Sequence, residues 1–190
     1  MIRLIAFLGN KGDMYSKTRH NAGWMFLDSF SALTIQLPWQ NKFHGSWTKG
    51  ILADVTVYVL KPMTFMNESG KSFGAMIRYF SFQPHEILIV HDDIELPFGT
   101  ARLQFGGGLA GHKGLRSIAE TIDSKKIHRL RIGIGRPSRG DVSNFVLGRF
   151  STNEEAELPL IFSGASHLVL KWIQQGCNEK HLPLSYSLGT

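Results

Sequence analysis

A chain of 190 residues, 43% apolar and 19% charged, has enough mass to bury one substantial core and too little for two comfortable ones. Its 20 glycines and 7 prolines make it rich in turns without the bias of a low-complexity or disordered protein. No run approaches the ~18 unbroken apolar residues of a membrane-spanning helix, and Met1–Gly9 is too short and poorly flanked for a signal peptide. A protein without membrane contact, in the cytoplasm, is the expectation. The lone Cys177 fits a reducing compartment and cannot close an internal disulfide. The net charge of +6 is regional: residues 100–150 hold ten basic and three acidic side chains, the remainder of the chain being close to neutral. Such a stretch is either a solvated face or a surface for a polyanion, and with only Phe105, Phe145 and Phe150 among the cations it suits a phosphate backbone better than stacked bases. Folded RNA is the partner it suggests.

In chain order, Ile2–Leu8 reads as a buried strand ending in the glycine-punctuated turn Gly9-Asn10-Lys11-Gly12. Apolar residues at helical spacing from Ala22 to Leu33 predict a helix with His20 and Asn21 at its N-terminus. Trp47–Leu60 alternates about Ala53-Asp54 as a hairpin does, and Phe73, Met76, Ile77 and Phe80 form the stripe of a second helix just after Asn67. The apolar run before His91-Asp92-Asp93 predicts a strand buried on both faces. A strand at Ala101–Phe105, a loop at Gly106-Gly107-Gly108, a helix over His112–Ile122 and a strand over Arg129–Gly135 follow. The chain is helical beyond Ser151, and residues 177–190 read as a tail. The pattern predicts one α/β domain over residues 1–190, a mixed twisted β-sheet flanked by helices on both faces, with sites beyond the carboxyl ends of strands.

Three polar clusters follow those strand ends: Asn10 with His20-Asn21, Phe65-Met66-Asn67, and His91-Asp92-Asp93. A neutral imidazole oriented by a carboxylate is the minimum for general-base catalysis, and asparagine amides supply donors for a developing oxyanion. Each residue also has a plainer reading as a cap or turn. His91-Asp92-Asp93 offers a weak metal site at best, since neighbouring side chains on a strand point to opposite faces. Gly106–Gly108 and the loop up to His112 match neither phosphate-binding fingerprint, leaving a hinge loop or a phosphate cradle open.

Taken in order, Gly9-Asn10, Thr18-Arg19-His20-Asn21-Ala22-Gly23, Thr64-Phe65-Met66-Asn67, His91-Asp92-Asp93, Gly111-His112 and His128–Gly135 closely resemble bacterial peptidyl-tRNA hydrolase over residues 2 to about 150. The resemblance implies a monomer that cleaves the ester between a peptide and the 3′ ribose of tRNA in the rescue of aborted translation, without cofactor or metal. It makes His20 the base and Asp92 its orienting carboxylate. Asn10 then helps tell a blocked peptidyl group from a free aminoacyl one, and Asn67 is the oxyanion donor. Tyr15, Phe65, Met66, His112 and Lys113 fall at the substrate site, and Arg102 and Arg131 at a phosphate of the acceptor stem.

The chain departs from the family pattern in three places. Lys11 stands where proline is common, which predicts a looser Asn10. Lys113 stands for asparagine and cannot accept a peptide N–H. Gln104 stands for a basic residue, for which Arg102, on the same face of its strand, can substitute. Two other functions stay open at this level: an RNA-binding module on the same fold, and metal-assisted hydrolysis at His91-Asp92-Asp93.

Overall fold

The computed structural model describes residues 1–30, 38–137 and 139–189. Eight strands, β1 (Leu4–Phe7), β2 (Gln40–Lys42), β3 (Gly45–Leu52), β4 (Val55–Pro62), β5 (Ile87–Asp93), β6 (Thr100–Phe105), β7 (His128–Gly133) and β8 (Leu184–Ser187), form one sheet in the order β2-β3-β4-β1-β5-β7-β6-β8. The central strands β4, β1, β5 and β7 are parallel, while β2, β3, β6 and β8 pair antiparallel at the two sides. This is the mixed sheet the sequence predicts.

Side-chain alternation along the strands feeds two cores. Ile5, Phe7, Leu88 and Val90 pack with α1 (Ala22–Ser29) and the long helix at the chain's end, whereas Leu4, Ala6, Leu8 and Ile89 pack with two helices that follow β4 and β6. The second pair are α2 (Ser69–Phe80) and α3 (Lys113–Ala119); a short α4 (Val142–Leu147) and the long α5 (Thr152–Gln174) complete the set. No described helix is long and apolar enough to cross a membrane.

Several elements differ from the sequence reading. Helix α1 ends at Ser29, and the predicted extension to Leu33 lies outside the described residues. Helix α3 stops at Ala119 because Thr121 turns its hydroxyl back onto the Ile118 carbonyl, 2.8 Å away, and Asp123 caps the next turn. The predicted tail carries β8, paired with β6 from Leu184 to Ser187, and buried Cys177 accepts the Ile2 N–H at 3.5 Å. The hairpin turn is as expected: Ala53 and Asp54 both have positive φ, 48° and 63°, the backbone of a two-residue turn matched to strand twist.

Candidate active site

Strands β1, β4 and β5 run parallel, so their carboxyl ends deliver Asn10, the segment Thr64–Asn67 and His91–Asp93 to one edge of the sheet. One glycine lets the N-terminus of α1 meet them: a Cβ on Gly23 would stand 2.6 Å from the Leu8 carbonyl oxygen and 2.9 Å from that of Val90. With that close approach, the 3₁₀ turn Arg19–Asn21 sets His20 beside the end of β5.

Here His20 Nδ1 lies 2.9 and 3.0 Å from the two oxygens of Asp92, and His112 Nε2 lies 3.0 Å from one of them. The tautomers follow from the neighbours. Nδ1 of His112 accepts the backbone N–H groups of Gly114 and Leu115, at 3.1 and 3.3 Å, capping α3. Its lone pair is therefore spoken for, and Nε2–H donates to Asp92. His20 likewise donates from Nδ1, which leaves Nε2 as its basic nitrogen, without a protein partner among the described residues. Burial alone would raise the carboxyl pKa of Asp92, but the charges and N–H donors of His20 and His112 outweigh it and hold Asp92 well below the usual carboxylate range.

These two histidines and Asp92 are also the described group with donor atoms close enough, within 4.8 Å of one another, to suggest a metal. The fit is poor: Nε2 of His112 can bind a cation only by losing its proton while Nδ1 keeps serving two amides. The sequential trio fares no better. His91 Nδ1 donates to the Asp92 backbone carbonyl at 2.6 Å, and Asp93 faces away from Asp92 to receive Arg131 Nε at 2.6 Å. Burial would raise the Asp93 carboxyl, and Arg131 first among its neighbours brings it down instead.

Asn10 is more firmly placed than the loss of proline predicts. Its N–H donates to Asn21 Oδ1 at 2.8 Å, its carbonyl accepts from Asn21 Nδ2 at 3.0 Å, and its Oδ1 accepts from the Met66 N–H at 2.7 Å. Lys11 adds a backbone bond to the Thr64 carbonyl, 3.2 Å, that proline cannot make. The amide nitrogen of Asn10 is left to the cleft. That cleft, about 310 Å³, is lined by Asn10, Tyr15, His20, Phe65, Met66, Asn67, Asp92, His112 and Lys113, so most of the predicted site residues converge. Tyr15 meets Phe65 edge-on at 6.4 Å, and Lys11 Nζ lies 5.1 Å from the Phe65 ring centre. Met66 is buried, so it contributes floor more than wall.

The structure does not bring Arg102 and Arg131 into this cleft. They are cross-strand partners on β6 and β7, with Arg102 Nε on Ser185 Oγ at 3.0 Å and Arg131 Nη1 on Gln104 Oε1 at 2.7 Å. Gln104 thus supplies an acceptor that orients Arg131, where a basic residue would repel it. Arg129 pins the glycine loop through the carbonyls of Gly106, 2.8 Å from Nε, and Gly108, 2.7 Å from Nη1. A loop whose carbonyls are tied inward in this way is not a free hinge. Sequence reading missed the apolar lining contributed by Ile94 and by Val142, Val146 and Leu147 of α4. It placed His112 at the substrate site, whose cleft it lines, and missed its bond to Asp92; a histidine at the start of a helical stripe was the available sign of a cap.

The comparisons agree with this geometry. The family model described as peptidyl-tRNA hydrolase matches residues 4–185. The chain is 42% identical over 187 residues to the peptidyl-tRNA hydrolase of Geotalea daltonii, covering 98% of this chain and 95% of that one. It is 41% identical over 175 residues to that of Mycobacterium avium, covering 91% and 92%. The crystal structure of peptidyl-tRNA hydrolase from Acinetobacter baumannii superposes with a TM-score of 0.85 at 38% identity, covering 93% of this chain and 90% of that one. On its sequence, its sheet and its site, the chain belongs to the peptidyl-tRNA hydrolase family.

Proposed function

We propose that the protein hydrolyses the ester joining a peptide to the 3′ ribose of tRNA with His20 as base. A water in the cleft gives a proton to His20 Nε2 as its oxygen attacks the ester carbonyl carbon. Asn67, with the free amide nitrogen of Asn10, donates to the resulting oxyanion. Collapse expels the ribose oxygen, which takes the proton back from His20, leaving free tRNA and a peptide acid. Asp92 stays ionised throughout and stabilises the imidazolium. The observation that carries this reading is the carboxylate at 2% exposure that accepts from His20 at 2.9 Å. An RNA-binding module has no use for such a pair.

The same charges explain why free aminoacyl-tRNA is spared. An α-ammonium entering the cleft sheds its hydration, finds Asp92 committed to two imidazoles and Asp93 to Arg131, and meets Lys113. A blocked amide carries no such penalty. In this reading the tRNA is held by its acceptor stem and 3′ end along the basic stretch, and the enzyme works as a monomer in the cytoplasm. The test is His20→Ala in purified protein with a chelator present: kcat on N-acetyl-aminoacyl-tRNA should fall on the order of 10³-fold or more. Turnover near the wild-type level would remove His20 as base, and loss of wild-type turnover with chelator alone would revive metal assistance.

A further inference from the structure

Helix α4 supplies the apolar wall of the cleft, yet none of its residues is buried, and Gly140 and Gly148 stand at its two ends. Only Phe145 and Val146 pack partly against the core, so burial alone anchors it weakly. The turn that carries His20 ties it down. The Arg19 N–H donates to the Gly148 carbonyl at 2.9 Å, and Thr18 pairs with Arg149 in an isolated antiparallel bridge. The Arg19 side chain continues the tie: Nη1 donates to the Arg149 carbonyl, and Nη2 donates to Glu154 Oε2 at 2.8 Å. Its flat face lies 4.3 Å from the centre of the Phe145 ring on α4 and 5.3 Å from that of buried Phe150. Glu154 in turn caps the start of α5 by accepting the Ser151 N–H at 2.7 Å. Arg19 adjoins the proposed base in sequence, yet it lies outside the cleft lining, and so does Phe145.

We propose that Arg19 is a positioning residue: it seats α4 over the cleft and so sets the enzyme's preference for bulky apolar peptidyl groups, taking no part in proton transfer. A planar guanidinium suits this role, because it stacks on Phe145 while its edge serves a carbonyl and a carboxylate, which an ammonium cannot do together. The inference rests on the functional reading above, with the peptide lying against Val142, Val146 and Leu147.

The experiment compares wild type, Arg19→Gln, Arg19→Lys and Phe145→Ala on N-acetyl-phenylalanyl-tRNA and N-acetyl-glycyl-tRNA, with kcat and KM resolved for each. In Arg19→Gln, KM for the phenylalanyl substrate should rise about tenfold, the scale of a lost apolar pocket contact, while the glycyl KM and both kcat values stay within about twofold. Phe145→Ala cuts the same tie from the other end, outside the cleft lining, and should reproduce that selectivity loss; Arg19→Lys should fall between. Equal loss of kcat on both substrates, or a Phe145→Ala enzyme with wild-type selectivity, overturns the proposal. Should Arg19→Gln lose its cooperative melt, Arg19→Lys and Phe145→Ala decide it. Failure here leaves the loss of turnover in His20→Ala intact, whereas failure of the functional reading shows as turnover retained in His20→Ala.

Discussion

Replacing Asp92 by asparagine keeps the shape of the side chain and removes its charge, which isolates what the carboxylate does for His20. In the native site the carboxylate accepts from His20 Nδ1 at 2.9 and 3.0 Å and from His112 Nε2 at 3.0 Å. An asparagine has one carbonyl oxygen for those donors. If His112 keeps it, the NH₂ group faces His20 and donates to Nδ1, which forces the proton of the neutral ring onto Nε2, the nitrogen that must be free. The charge matters as well. An imidazolium and a carboxylate about 3 Å apart attract by roughly 5–6 kcal/mol at the effective dielectric of protein sites, and losing that term as His20 becomes charged lowers kcat about 10⁴-fold. Single-turnover hydrolysis of N-acetyl-aminoacyl-tRNA reads the chemical step, and KM should change little because Asp92 touches no substrate. An Asp92→Asn enzyme within tenfold of wild type in kcat would refute both the tautomer argument and the electrostatic one.

Three further outcomes follow. His112→Ala should cost about 2–4 kcal/mol in denaturant unfolding, from one cap and one hydrogen bond to a charged group, and should lower kcat with KM nearly unchanged; His112→Asn, which can still cap α3, should recover about 1 kcal/mol. A rise in KM instead would return His112 to the substrate contacts. Arg102→Ala with Arg131→Ala should weaken tRNA binding and flatten the log–log salt dependence by about one to two; an unchanged slope and KM would remove both from the phosphate contacts. His128, buried between Phe105 and Trp172 with ring centres 4.8 Å from each, is pushed down to about 4 by that burial. Its folded value lies below the unfolded 6.5, so the unfolded chain binds more protons and stability falls as pH drops from 6.5 to 4. The Ile87 backbone offsets only part of the burial, so the loss is about 3 kcal/mol, and His128→Phe should flatten unfolding free energy over that window; an unaltered acid limb would exclude His128 as its source.

What could be read from the sequence was what local pattern determines. The four apolar residues before His91 fix β5, and the Ala53-Asp54 turn fixes the β3–β4 hairpin. Strand β2, Gln40-Asn41-Lys42, is wholly exposed and held by backbone pairing to β3, so it has no apolar signature to read. Strand β8 likewise exists because the edge of β6 is open to it. Helix α4 has no fully buried residue, packing only Phe145 and Val146 partly against the core, and its ties to Arg19 come from more than 120 residues earlier in the chain. The pair His20 and Asp92 was legible as chemistry, because a base needs an orienting acid. The second imidazole was not, since its role lies in a contact between the N-cap of α3 and the end of β5.

The two aspartates at that strand end show how one local rule divides two tasks. Successive side chains on a strand point to opposite faces, so Asp92 continues the line of Leu88 and Val90 toward the turn bearing His20, while Asp93 continues the line of Ile89 toward β7 and Arg131. Both carboxylates are held ionised, each by a different cationic or donor partner, and neither is left to pull an ammonium into the cleft. A single-residue slip of β5 that put His91 in the place of Asp92 would set Asp92 against Arg131 and leave His20 without its carboxylate. The register of β5 between β1 and β7, fixed by apolar residues on both faces, is therefore part of the proposed mechanism: the carboxylate at Asp92 and the ion pair of Asp93 with Arg131 are held in step by one rigid strand.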